Sequence, residues 1–209
     1  MKKIKFSLLA VALMVATAAS AQVSFGVQGG VNLSNVLVSG GSDNDPKVGF
    51  NAGILTDFNF TPEMGIRSGL FFTTKGFRIS ETVEEGVRAR LTTNLMYLQI
   101  PIHFAYWIDV SPGTRVVLHA GPYVAYGVRG RMSINADSDD FGFGITPNEN
   151  LFGSGDDKLN PFDFGVGLGV GFEFGRIITG IGVDMGLLSV FPGDTARNMN
   201  ASLTLGYRF

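Results

Sequence analysis

The chain has no cysteine, so neither a disulfide framework nor thiolate chemistry enters into its structure or function. Charge is scarce too: Asp, Glu, Lys and Arg make up 16% of its 209 residues, against about a quarter in ordinary soluble domains. Beyond the first 21 residues no stretch supplies the roughly 18 consecutive apolar residues of a transmembrane helix. What the chain does have is 29 glycines, 18 phenylalanines and 45% hydrophobic residues, in a length that suits one domain.

Residues 1 to 21 read as a separate segment. MKKIKF is cationic, SLLAVALMVATAA is a short apolar run, and Ala19-Ser20-Ala21 offers small residues for cleavage before Gln22. This is the layout of a secretory signal peptide, which leaves residues 22 to 209 as the mature domain. With no cysteine after Ala21, no lipid anchor is expected. Losing Lys2, Lys3 and Lys5 takes Lys+Arg from 16 to 13 against 18 Asp+Glu, a net charge of −5, which argues against nucleic acid as a partner. An exported chain that crosses a membrane without a helix must do so as a closed sheet, because lipid satisfies no backbone polar group.

Alternation with period 2 recurs along the mature chain. Val23, Phe25, Val27, Val31 and Leu33 face away from Ser24, Gln28 and Asn32, and seven further stretches repeat the pattern, centred near residues 54, 70, 100, 120, 168, 182 and 204. In FDFGVGLGVGFEF, residues 162 to 174, glycine holds every second place from Gly165 to Gly171. The third stretch has one exception, Phe71, which breaks the alternation. The links alternate in length: short through residues 59–65, 107–114 and 175–176, long through 35–47, 78–90, 130–161 and 189–198. Eight strands with short turns at one end and long loops at the other predict an all-β, eight-stranded antiparallel up-and-down transmembrane β-barrel, with its short turns toward the periplasm.

A soluble barrel also alternates, but its wet face carries Lys and Glu. Here the second face is mostly Gly, Asn, Ser and Thr, so the apolar face is the one that turns to lipid. Phe58, Tyr106, Trp107, Phe172, Phe174, Tyr207 and Phe209, near strand ends, are expected to form an aromatic girdle. The interior of eight strands is just wide enough for side chains. Tyr97, Gln99, His103, His119 and Tyr123 are therefore expected to fill the space that the glycines leave. Asp57 and Arg67 lie at equal distances from Pro62 with the same inward parity, so a cross-strand ion pair is expected. Asp184, opposite Gly167 near mid-membrane, needs a lumenal partner, with Tyr123, His119, Gln99 and Arg208 in reach. The expected role of this polar network is structural.

NLMYLQIPIHFAYWI, LHAGPYVAYGVRG, FDFGVGLGVGFEF and the closing LTLGYRF, in that order and with GLFFTTKG at residues 69 to 76, resemble the PorT-like family of small outer-membrane β-barrels. The resemblance implies integral residence in the outer membrane, contact with its lipid, and an accessory role in protein secretion of the kind the family's namesake plays. Terminal Phe209, preceded by Tyr207, Leu205 and Leu203, resembles the signal by which the barrel assembly machinery recognises its clients. The family has no catalytic motif to carry over.

Other chemistry fails on spacing. After Gly165 and Gly167 a dinucleotide fingerprint needs glycine where Val170 stands, and no helix follows. His103 and His119 suit a packed lumen better than a base or metal pair. Asp137, Asp139, Asp140, Glu149, Asp156 and Asp157, like Asp43 and Asp45, miss the EF-hand pattern and read as solvated loops. No catalytic, metal or cofactor site is expected. The expected function is a non-enzymatic outer-membrane barrel with a structural role or with loops that bind an extracellular or secretion-complex partner. A narrow channel and a membrane enzyme are the alternatives.

Overall fold

Branched and aromatic side chains on one face of an extended chain, with glycine and small polar residues on the other, suit a pleated sheet that is greasy outside and crowded inside. The computed structural model describes residues 22–37, 44–84, 87–137, 142–145, 150–153, 158–190 and 196–209. The expected signal peptide, Asp43, Asp139, Asp140, Glu149, Asp156, Asp157 and the side chain of Asp137 lie outside what is described.

The strands are β1 (Gln22–Leu37), β2 (Asn44–Asn59), β3 (Met64–Glu84), β4 (Val87–Ser111), β5 (Thr114–Asp137), the short β6 (Gly142–Ile145), β7 (Phe162–Phe174), β8 (Ile177–Ser189) and β9 (Arg197–Arg208). Each long strand pairs antiparallel with the next, β5 passes directly to β7, and β9 returns to β1, closing an eight-stranded ring. The four-residue β6 lies outside this ring and pairs with the far end of β5. Closure leaves the ring without a bare edge, the condition for crossing lipid.

The apolar set points outward throughout. Val31 is 56% exposed, Leu168 61% and Leu203 58%, while their neighbours Asn32, Gly167 and Gly169 are buried. Phe71 turns inward, against Gly53 and Gly69, so the break in the third stretch is a lumenal phenylalanine rather than a flaw in the strand.

Two boundaries differ from the sequence expectation. β4 runs on to Ser111, so its turn to β5 is Pro112-Gly113 alone, with Gly113 at φ 77° in the left-handed region that favours glycine. At the other end, β3, β4 and β5 reach 21, 25 and 24 residues, and most of the expected 78–90 loop is paired strand. Beyond the lipid band the apolar alternation ends, but the ladder needs only backbone hydrogen bonds to continue. The result is a three-stranded sheet standing above the barrel on one side.

Candidate functional site: the barrel lumen

The inward side chains form three layers, described from the turn end to the loop end. At the turn end Asp57 and Arg67 sit directly opposite one another on β2 and β3, and Arg67 donates from Nε and Nη2 at 2.8 and 3.0 Å. Glu173 of β7, 2% exposed, collects three arginines: Arg67 at 2.8 Å, Arg115 at 2.7 Å and Arg208 at 2.7 Å. Arg208 also donates to Asp57, tying β9 to β2 across the lumen. The Trp107 indole N–H donates to Glu173 Oε1 at 3.2 Å, and the Arg67 guanidinium lies 5.5 Å from the Trp107 ring centre. Trp107 is therefore 1% exposed and lumenal, which corrects its placement in the aromatic girdle. Its parity, shared with His103, and the buried carboxylate waiting there outweigh the general preference of tryptophan for the membrane interface. Three guanidiniums share two carboxylates, a desolvated network in which each of the four carboxylate oxygens accepts from at least one guanidinium.

In the middle layer the glycine run shows its purpose. A Cβ on Gly165 would stand 2.6 Å from the Tyr123 ring, on Gly167 3.0 Å from the His103 ring, and on Gly169 2.6 Å from His119 Nε2. The missing side chains of β7 are the space that three rings of β4 and β5 occupy. His103 and His119 lie diagonally on adjacent strands, with their Nδ1 atoms 2.9 Å apart and their rings stacked at 19°. One Nδ1 donates and the other accepts. Asp184, opposite Gly167, accepts a hydrogen bond from Gln99 Nε2 at 3.1 Å. Beside these groups is a cavity of about 120 Å³, bounded by Phe71, Gln28, Asn51, Thr204 and the histidines. His103 Nε2 and Gln99 Oε1 have no protein partner there, and the cavity is polar and large enough for water.

The loop-end layer is built on Lys75, whose Nζ is 3.0 Å from Asp163 and lies 4.6 and 5.3 Å from the Tyr123 and Tyr97 ring centres. Asn198 and the Tyr123 hydroxyl also donate to Asp163, at 2.9 and 3.3 Å. Above it lies an apolar lid. Phe152, from the segment between β6 and β7, meets the Tyr97 ring edge-on at 5.2 Å and packs with Leu95, Leu159 and Val190. Its ring occupies the place of a side chain on Gly127.

The structure thus brings Asp57, Arg67 and Arg208 together, pairs His103 with His119 and Gln99 with Asp184, and sets Tyr97 and Tyr123 around Lys75. Sequence reasoning grouped none of Glu173, Arg115, Lys75, Asp163 or Phe152 with the site. The inward parity of Glu173 and Arg115 was a usable signal that both enter the lumen, and the structure sets them directly opposite one another across the β5–β7 pair. Among the described residues no three His, Cys, Asp or Glu side chains are placed to hold a metal ion.

Comparison with solved structures finds small outer-membrane proteins. Ail of Yersinia pestis, in complex with the heparin analogue sucrose octasulfate, is 12% identical at a TM-score of 0.42, covering 90% of this chain and 99% of that one. Neisserial surface protein A is 14% identical at 0.43, with coverage of 90% and 99%. OprG of Pseudomonas aeruginosa is 10% identical at 0.47, with coverage of 90% and 97%. No curated protein matches the chain. The sequence profile of the outer membrane protein beta-barrel domain matches residues 16–192, and the chain belongs to that family.

Proposed function

We propose that this protein is a closed, non-enzymatic outer-membrane anchor. Its short turns face the periplasm, and the extended β3–β5 sheet and long loops stand outside the cell as a surface for binding. The observation that carries this reading is the double closure of the lumen. Arg67, Arg115, Arg208, Asp57 and Glu173 bridge five strands at the turn end, and Phe152 with Leu95, Leu159 and Val190 caps the loop end. A cavity of about 120 Å³ lies between them, far from the continuous aqueous lumen of a porin. A secretion-accessory role of the PorT-like kind is one use of such an anchor, with a protein partner seated on the external sheet.

Planar-bilayer recording of the purified protein tests the closure. The expected record has no unitary current steps. Reproducible steps in the wild type that grow larger in Arg208→Ala, which removes one of the sealing guanidiniums, would replace the anchor with a channel.

A further inference from the structure

The outer face of the β3–β5 extension carries a second feature, separate from the lumen. Along β5 the lipid-facing side chains Val124, Tyr126 and Val128 end the apolar band, and Arg129 follows at once, paired with outward-facing Met96 of β4. Arg131 lies two residues further on the same face, about 5 Å higher for strands that rise ~3.3 Å per residue and tilt about 40°. Arg90 stands six residues beyond Met96 on β4, about 15 Å above the band by the same geometry. Arg78 of β3 is diagonal to it, one row closer to the lipid, because Arg78 pairs with Thr92.

The residues between these arginines are neutral donors and acceptors, among them Thr92 and Asn94. Asp45, opposite Arg78 on β2, is the one carboxylate among the described side chains of this face. Arg78, Arg90 and Arg131 make no ion pair with any described residue. The opposite rim of the barrel differs: among the described residues its single outward basic side chain is Arg176, accompanied by Glu63 and Asp109. Among the described residues the outward positive charge therefore gathers at the loop end, where Arg197 of β9 adds one more on the far side of the ring, and on the β3–β5 face it begins where the hydrocarbon ends.

Guanidiniums on aliphatic stems at that depth lay the stem on acyl chain and raise the head to the polar layer. There the planar fork matches phosphate oxygens two at a time. We propose that this face docks the phosphorylated glycolipid of the outer leaflet, with Arg131 at the depth of the lipid A phosphates and Arg78 and Arg90 at the depth of the inner-core anions. Charge complementarity selects this occupant: a basic face directly above an apolar band fits an amphiphile with anionic groups over acyl chains, and a soluble anion makes no use of the band. The proposal rests on the outward orientation of the loop end.

The test measures lipopolysaccharide binding to the purified, refolded protein in detergent with chelator present, so that no divalent cation bridges the phosphates. Wild type should retain lipopolysaccharide and lose it when the lipid A is enzymatically dephosphorylated. Each interfacial arginine is worth about fivefold in binding to an anionic surface, so R90Q/R131Q should weaken retention roughly thirtyfold. R90K/R131K should recover part of it, and R176Q none of the loss. Heat-modifiable gel mobility checks that every variant is folded. Retention by R90Q/R131Q equal to wild type would overturn the proposal, as would displacement of the lipid by millimolar inorganic phosphate, which would make the face a simple anion site. Protease cleavage of intact cells within 130–161 reports orientation separately. Absence of that cleavage would overturn the topology and, with it, the outer-leaflet placement of this face, whereas loss of retention with cleavage intact would overturn the docking alone.

Discussion

Glu173→Ala is the substitution that loads the lumen most severely. Glu173 is 2% exposed and accepts from Arg67, Arg115, Arg208 and the Trp107 indole at 2.7 to 3.2 Å. Without it, three guanidiniums are left with Asp57 alone, and two of them, Arg67 and Arg208, have side chains only 7% and 13% exposed. Removing one partner of a buried pair typically costs about 3 to 5 kcal/mol, because the charge left behind is desolvated and unmet. Arg115, with 30% of its side chain exposed, reaches water and adds little to that penalty. The expected loss is therefore about 3 to 5 kcal/mol, read as a shift in the urea midpoint of folding into lipid vesicles. Adding Arg208→Ala to Glu173→Ala should recover part of the loss, since the double change removes one stranded cation along with its acceptor. A loss under about 1 kcal/mol, or a double variant whose losses simply add, would show that the cluster does not act as a unit.

Leu168→Arg puts a charge on the lipid face near mid-strand and should cost roughly 2 to 4 kcal/mol in the same assay, whereas Thr204→Arg, toward the lumen, should cost less. Equal losses would contradict the assignment of faces. Gly169→Ala should destabilise by about 1 to 3 kcal/mol, because its methyl meets the His119 ring, and His119→Ala should relieve part of that cost. No relief would mean that the Ile181 carbonyl, 2.9 Å from the same methyl position, sets the limit instead. Asp184→Leu strips Gln99 of its one hydrogen-bond partner and should lower thermal stability in detergent by about 1 to 3 kcal/mol while leaving vesicles no leakier. A leak at unchanged stability would contradict the structural role of this pair.

The barrel was legible because lipid tests every outward side chain. One polar residue in the band is costly, so the alternation of residues such as Val23, Phe25 and Val27 is kept strictly and can be counted. Parity then placed the nine polar residues inside without any structure. The partners were harder to read. Asp57 and Arg67 flank a short turn, which fixes their register, but Arg115 and Glu173 are separated by residues 130 to 161, and no count crosses a connection of that length. Gln99 stood among the four candidates for Asp184, but the two meet across the lumen, where strand register could not choose it over Tyr123, His119 or Arg208. Phe152 comes from a connecting segment with no period at all. Trp107 was misplaced because a compositional habit was allowed to outweigh its parity. The extensions of β3, β4 and β5 escaped notice because above the membrane a strand needs no apolar face.

Trp107 is also the most direct probe of the closed lumen. It is the single tryptophan of the chain, so its indole N–H gives one unambiguous resonance, and that N–H is bonded to Glu173 inside the turn-end cluster. Hydrogen exchange of this proton in the folded, micelle-bound protein measures whether bulk water reaches the cluster. The closed-anchor account predicts protection that persists for hours and is lost in Glu173→Ala. Complete exchange of the wild-type indole within the dead time of the measurement would contradict it, since water would then thread a lumen that the ion cluster is held to seal.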